Sequence, residues 1–502
     1  MKPMELVIES HTEEHRMKRE QLGLYADYGL FIDGAWRGAS DGAVREVHDP
    51  ATENVVGVVP MATQEDLDAA LSAAKRAFRT WSKTSPWERG AILRRTADNI
   101  RANVDKIALL MSSECGKPLA EARGEVGAAA DQFEWYAEEA KRIYGHTIEA
   151  REPDVRMTVN FEPVGVVAAF TAWNFPALLP ARKIGAALAA GCTVIVKPAS
   201  EAAGSCMAVV QAMLEAGLPA GALNLVTGDS GLISEYLLRS PVVRKVSLTG
   251  STSVGKRMLQ LAAYGIKKVS MELGGHAPVL VFEDADVEQA IKACAGFKFR
   301  NCGQVCASPT RYYVHESIYD RFCEGFAQAA SQLKLGCGLD PATQMGPLAN
   351  RRGFEGAGRL VEDALGHGAQ LLTGGGRPES MAKGFFFSPT VLKDVPQHAM
   401  IMQQEPFAPI APIARFKSFD EAIELANSTP YGLASYLFSR SLKTATLASA
   451  AIEAGMVGIN DMAIASAEMP FGGVKESGYG REGGSLGIKE YLEAKYIKTR
   501  LV

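Results

Sequence analysis

The chain has 502 residues, 47% of them hydrophobic and 22% charged, with a net charge of −4. That length exceeds one ordinary core and points to about three domains. The apolar share excludes a disordered chain. The slightly acidic balance excludes an extensive nucleic-acid surface, which would concentrate Lys and Arg, and directs attention to small-molecule partners.

Eight cysteines are scattered without the spacing of a small stapled domain, so reduced thiols and a cytoplasmic setting are expected. The opening MKPMELVIESHTEEHRMKRE mixes acids with bases and lacks the apolar stretch of a secretory signal. No run approaches the roughly 18 uninterrupted apolar residues of a membrane span. The longest apolar zone, 164–196, is broken by Arg182 and Lys183. His11 and His15 stand four apart, as on a zinc-binding helix, but no glutamate directly follows His11, and no metal is assigned.

In chain order, Asp33-Gly34 sits between short apolar runs and predicts a type I′ hairpin. Thr63 precedes Asp66 at capping-box spacing, and Leu67, Leu71, Ala74, Phe78 and Trp81 recur at helical intervals, predicting an amphipathic helix. Two further helical stretches are expected up to about Arg142. From Val164, short apolar runs (VGVVAAF, CTVIVK, LNLV, RKVSLTG, KKVSMEL) alternate with helical stretches at 178–190, 201–216 and 252–264. This βαβ series implies a doubly wound parallel sheet whose ligands lie at the carboxyl ends of its strands. A second α/β alternation begins with APVLVFEDAD at 277, includes a helix at 286–297 and a turn at Gly374-Gly375-Gly376, and ends near 460. The stretches VRMTVNFEP (155–163) and EYLEAKYIKTRLV read as strands without an obvious partner in either sheet, suited to pairing across subunits.

Three residues carry the chemistry. Cys306, in FRNCGQVCASPT, reads as a loop thiol after a helix, and a lone cysteine is most often inert and buried. Glu272, in SMELGGHAP, ends a strand before two glycines, and Asn174, in TAWNFPALLP, could simply cap the following helix. Together they supply an acyl-transfer site: a thiolate to attack a carbonyl, an amide to hold the oxyanion and a carboxylate to activate water.

With Asn174 in WNFP, Glu272 in MELGG and Cys306 in GQVC, the chain resembles the aldehyde dehydrogenase superfamily. The likeness extends over KPAS at 197–200, TGSTSVG at 249–255, EPF at 405–407 and PFGGVKESGYGREG at 470–483. It implies an NAD(P)-dependent enzyme that oxidises an aldehyde to an acid through a thioester on Cys306. The oxyanion would be held by Asn174 and the Cys306 N–H, with Glu272 as base for water. A helix dipole or Glu272 would ionise the thiol. The implied fold is α/β, with a doubly wound parallel cofactor-binding domain (1–143 and 162–276), a second α/β catalytic domain (277–486) and β oligomerisation arms (144–161 and 487–502). A homodimer or homotetramer is implied, with neither nucleic acid nor membrane as partner.

For NAD or NADP, the resemblance implicates Gly250, Ser251 and Gly255 near the pyrophosphate, Glu405 at the nicotinamide ribose, Lys197 at the adenosine ribose, and Trp173 and Phe407 as further cofactor-binding residues. Ser200 stands where many NAD-preferring relatives carry a glutamate that repels a 2′-phosphate, so both cofactors are expected. For the substrate, Arg182, Arg300 and Ser466 match positions where succinate-semialdehyde dehydrogenases bind the carboxylate. Guanidinium forks suit that group. Two departures flank the nucleophile. Val305 replaces the usual threonine, favouring a larger or less polar aldehyde, and Ser308 replaces a second cysteine, so no disulfide can form between those neighbours. Glutarate or 2-oxoglutarate semialdehyde and aromatic aldehydes are the alternatives, with a non-redox cysteine acyl-hydrolase as the rival class.

Overall fold

The computed structural model describes residue 25 and residues 27–502. The His11 and His15 pair therefore lies outside the described residues. The Asp33-Gly34 hairpin is present: Leu30–Ile32 pairs antiparallel with Ala35–Arg37, and both turn residues have positive φ (54° and 85°), as a type I′ turn requires. Thr63 caps helix Gln64–Trp81 through a complete capping box with Asp66.

The two helical stretches expected before Arg142 are three: Pro86–Ala102, Val104–Cys115 and Leu119–Glu139. Asn103 leaves helical geometry between the first two, and Gly116, at φ 74°, ends the second. Pro118 then precedes the third. These breaks rest on single residues inside continuous apolar periodicity, which hides them from pattern reading.

The first sheet has eight strands in the order Gly478–Tyr479, Lys268–Glu272, Val243–Thr249, Val166–Phe170, Thr193–Lys197, Leu223–Leu225, Leu30–Ile32 and Ala35–Arg37. Its five central strands are parallel. The order reverses between Val166–Phe170 and Val243–Thr249, which places a crevice beyond their carboxyl ends. Gly478–Tyr479 comes from far along the chain and pairs antiparallel with Met271 and Glu272. A piece of the 277–486 segment thus completes the first sheet.

The second sheet has seven strands in the order Gln370–Thr373, Thr390–Lys393, Ile410–Phe416, Pro309–His315, Ala277–Val281, Ala434–Phe438 and Met456–Ile459. Only Gln370–Thr373 is antiparallel. One continuous apolar cluster, from Ala277 to Phe471, packs this unit. The unpartnered strands find each other: Leu492–Arg500 pairs with Val155–Pro163 along its whole length, and His146–Ile148 adds a third strand. This pairing within the chain leaves Leu492–Arg500 as an exposed edge. Among the described residues no helix is long and apolar enough to cross a membrane.

Candidate active site

Asn174, Glu272 and Cys306 converge. Glu272 is the last residue of Lys268–Glu272, and Asn174 follows Val166–Phe170 on the same carboxyl edge. Cys306 arrives from the other unit, three residues before strand Pro309–His315. The site is thus built from carboxyl ends of one sheet and the amino end of the other. The amino-end contribution escaped the sequence rule, which names carboxyl ends alone.

Asn174 is 3% exposed and does not cap the next helix. Glu125 takes that role, accepting from Ala177 N (2.9 Å) and Leu178 N (3.2 Å). Asn174 instead spends one Nδ2 hydrogen on Gln304 O (3.1 Å), leaving the second available. The Cys306 N–H has no acceptor among the described residues, so two donors are unspent beside the thiol.

Glu272 is buried, and among the described residues the Cys306 thiol is the one side chain that approaches its carboxyl as a hydrogen-bond partner. Burial first, and the negative Glu482 second, push its carboxyl up to about 7, against the opposing charges of Lys183 and Arg182. Cys306 lies against it. Burial and then Glu272 raise the thiol well above its ordinary value, so the resting residue is protonated. No helix begins at Cys306, which leaves Glu272 rather than a dipole as the group able to take its proton.

Lys183 and Glu482 form a buried ion pair behind Glu272, and Lys183 also donates to Thr249 Oγ1 (2.8 Å). Neither was singled out from sequence. The available signal was a lysine beside Arg182 in the otherwise apolar helix Leu178–Ala190, since a buried charge needs a partner.

The loop before Cys306 runs through three successive left-handed residues, Asn301, Cys302 and Gly303 (φ 47°, 56° and 73°). Two are not glycine, at a cost of about 1–2 kcal/mol each. Hydrogen bonds hold the conformation: Asn301 N donates to Glu121 Oε2 (2.8 Å), and Asn301 Nδ2 to Asn174 O (3.1 Å) and Gln304 O (3.2 Å). Lys117, ion-paired with Glu125 and fully buried, donates to the same Asn174 O (2.8 Å).

A cavity of about 810 Å³ reaches Cys306. Its wall includes Phe175, Arg182, Arg300, Val305 and Ser466, so all three residues expected at a substrate carboxylate share one pocket with Cys306. Arg182 lies 4.3 Å over the Phe471 ring and Arg300 5.4 Å over the Phe175 ring. Neither guanidinium forms a salt bridge among the described residues, and Arg182 Nε has no hydrogen-bond partner. Val305 packs with Phe175 and Leu179 as an apolar wall. Ser308 is buried, 3.4 Å from Lys298 Nζ.

On the far side of Cys306, Glu405 Oε1 accepts from Gly275 N (3.2 Å), and burial pushes its carboxyl up to about 8. Trp173 and Phe407 meet edge to face at 5.7 Å. Ser251 caps helix Thr252–Ala263, whose first turn is open to solvent. Gly255 lets that helix close on Leu273, because a Cβ would come within 2.5 Å of its Cδ2. Gly250 is under no such constraint, its nearest Cβ contact being 3.4 Å. Lys197 donates to Ser230 Oγ (2.6 Å), and burial lowers its ammonium to about 8. Ser200 is buried nearby, and Arg45 is a cation near Lys197 that sequence reading missed. An open helix N-terminus, carboxylates without enough donors and a buried lysine together fit a dinucleotide. Among the described residues, no group of three or more His, Cys, Asp or Glu is placed to hold a metal.

The two glycines after Glu272 are steric necessities. A Cβ on Gly274 would stand 2.6 Å from Glu405 Oε2, and one on Gly275 would stand 2.5 Å from the Cys306 carbonyl oxygen. Gly275→Ala is expected to displace the thiol and lower kcat by roughly a hundredfold, as misplacement of about 1 Å does, with unchanged circular dichroism. Steady-state kinetics beside far-ultraviolet spectra check this.

Residues 36–497 match the aldehyde dehydrogenase family. The chain is 45% identical over 467 residues to the glutarate-semialdehyde dehydrogenase of Pseudomonas putida, covering 93% of this chain and 96% of that one. It is 44% identical over 481 residues to the NADP(+) succinate-semialdehyde dehydrogenase of Escherichia coli, covering 96% and 99%. The crystal structure of succinate-semialdehyde dehydrogenase from Burkholderia pseudomallei superposes with a TM-score of 0.93 at 44% identity, over 94% of this chain and 98% of that one. With this agreement in sequence and fold, the chain belongs to the aldehyde dehydrogenase family, whose members are NAD(P)-dependent oxidoreductases.

Proposed function

We propose that this protein oxidises a carboxylated aldehyde, with succinate semialdehyde as the leading substrate, to the corresponding acid through a thioester on Cys306. The observation that carries the substrate class is the pair of guanidinium groups, Arg182 and Arg300, lining the Cys306 cavity with no salt bridge to a carboxylate among the described residues. The names of the two relatives above support a semialdehyde, and glutarate semialdehyde is the second reading.

Glu272 takes the Cys306 proton, and the thiolate adds to the aldehyde carbon. The second Asn174 Nδ2 hydrogen and the Cys306 N–H receive the oxyanion, a donation often worth roughly a hundredfold or more in rate. NAD or NADP, when bound, supplies the oxidation of this adduct to the thioester. Once Glu272 has passed that proton to solvent it deprotonates the water that attacks the thioester carbonyl, and the Cys306 thiolate leaves as the acid is released and takes a proton back. Lys183, paired with Glu482, offsets negative charge on Glu272 from behind.

The dinucleotide is held by the N-terminal turn of Thr252–Ala263, capped by Ser251, with Glu405 on the nicotinamide ribose beside Trp173 and Phe407. Lys197 and Ser200 meet the adenosine ribose. Self-association proceeds through the exposed edge strand Leu492–Arg500, where Tyr496 and Ile497 present apolar surface.

Three expected outcomes follow from these assignments. Glu272 must be ionised to act as a base, and its carboxyl sits at about 7, so kcat should climb as pH rises towards 7 and flatten above it. Glu272→Gln should erase that limb and lower kcat roughly 10²–10⁴-fold, as read in a pH–rate series. Arg300→Ala should raise KM for succinate semialdehyde about 10- to 150-fold, the worth of a charged hydrogen bond, and barely change KM for butanal. Equal effects would sink the carboxylate anchor. NAD and NADP should support kcat/KM values within about a hundredfold of each other, since no side-chain carboxylate stands at position 200 to repel a 2′-phosphate.

A further inference from the structure

The substrate cavity contains polar groups that the carboxylate anchor leaves unused. Gln132, on helix Leu119–Glu139, is 2% exposed and lines the cavity, yet its side chain makes no hydrogen bond among the described residues, and Oε1 is buried without a partner. Trp135, one turn along, lines the same space with an unpartnered Nε1. Arg182 Nε, on the adjoining helix Leu178–Ala190, is the third such atom.

Nearby buried polar groups on these two helices are satisfied. Glu125 accepts from Ala177 N and Leu178 N, Lys183 donates to Thr249 Oγ1, and the Tyr136 hydroxyl accepts from Gly483 N at 2.9 Å. Buried polar groups are almost always paired, and each exception calls for a reason. On these two helices the three exceptions belong to residues that line one cavity. That cavity is open to solvent at a mouth lined by Arg94, Asp131, Glu134 and Glu138, and these residues lie on its wall.

We propose that Gln132 and Trp135 form a second polar anchor, which binds an acceptor oxygen, keto or hydroxyl, on the carbon chain of a carboxylated aldehyde. This rests on the carboxylate-anchor reading and narrows its substrate class. An indole N–H only donates, as does Arg182 Nε, so the ligand atom that meets them is an acceptor; the Gln132 amide adds N–H donors to that oxygen, and its unpaired Oε1 accepts in turn where the oxygen is a hydroxyl. A site built to hydrogen-bond an oxygen discriminates against the analogue that lacks it, because its donors are then left unpaired. Succinate and glutarate semialdehydes both lack that oxygen.

The test uses three five-carbon aldehydes with the full-length enzyme. Pentanal has no carboxylate, glutarate semialdehyde adds one, and 2-oxoglutarate semialdehyde adds a keto oxygen remote from the reacting aldehyde. The keto compound is expected to exceed glutarate semialdehyde at least tenfold in kcat/KM. Gln132→Leu should reduce that ratio to about one, leaving turnover of glutarate semialdehyde within about twofold and the thermal midpoint unchanged or higher. Trp135→Phe, which keeps the ring and loses the donor, should narrow the ratio on its own and serves if Gln132→Leu does not fold. A wild-type ratio near one, or variants that slow both semialdehydes equally, would overturn the proposal. Equal rates for pentanal and glutarate semialdehyde would instead sink the carboxylate anchor, a separate comparison.

Discussion

The active site depends on one close approach. The backbone after Glu272 passes so near the Cys306 loop and Glu405 that hydrogen atoms alone fit between them, at Gly275 and Gly274. This contact brings the carboxyl edge of the first sheet within reach of a thiol delivered by the second. Hydrogen bonds fasten it: Gly275 N donates to Glu405 Oε1, Ser477 Oγ donates to Gly274 O (2.7 Å), and Leu273 N donates to Ser477 O (3.0 Å). The return of Gly478–Tyr479 to the first sheet follows directly from these bonds, since Ser477 immediately precedes it.

The electrostatics follow from that closure. Sealing Glu272 away from water makes its ionised form costly, and Glu482 adds to the cost, so the carboxyl titrates close to neutrality. The same burial keeps Cys306 protonated, and a base near neutrality beside a reluctant thiol is a useful pairing. Lys183 and Arg182 limit the shift. Without them, two buried carboxylates would face each other with no compensating charge.

A second network sets geometry rather than charge. Asn174 O receives Lys117 Nζ and Asn301 Nδ2, while Asn174 Nδ2 reaches Gln304 O. Asn174 and the left-handed loop before Cys306 are therefore tied to the same atoms. Helix Leu119–Glu139 takes part through Glu121 and Glu125, and the same helix carries Gln132 and Trp135 into the cavity. One element thus supports the reacting groups at its beginning and lines the substrate space further on.

Local sequence sufficed where the physics is local. The Asp33-Gly34 turn, the Thr63 capping box and helix Leu178–Ala190 follow from φ preference, side-chain reach and periodicity within a few residues. The chemical identities of Cys306, Glu272 and Asn174 were equally legible, because thiol, carboxylate and amide keep their chemistry in any fold. What each group does with that chemistry was decided by tertiary structure. Asn174 could have been a cap until Glu125, 49 residues earlier, was found capping that helix. The strands 155–163 and 492–500 gave no sign that they pair with each other, since register over such a separation is written in neither strand. Glu272 became a carboxyl that titrates near neutrality, and Gln132 an unpaired amide beside a cavity, only through burial. Burial is a property of the assembled chain, in which residues hundreds of positions apart exclude water together.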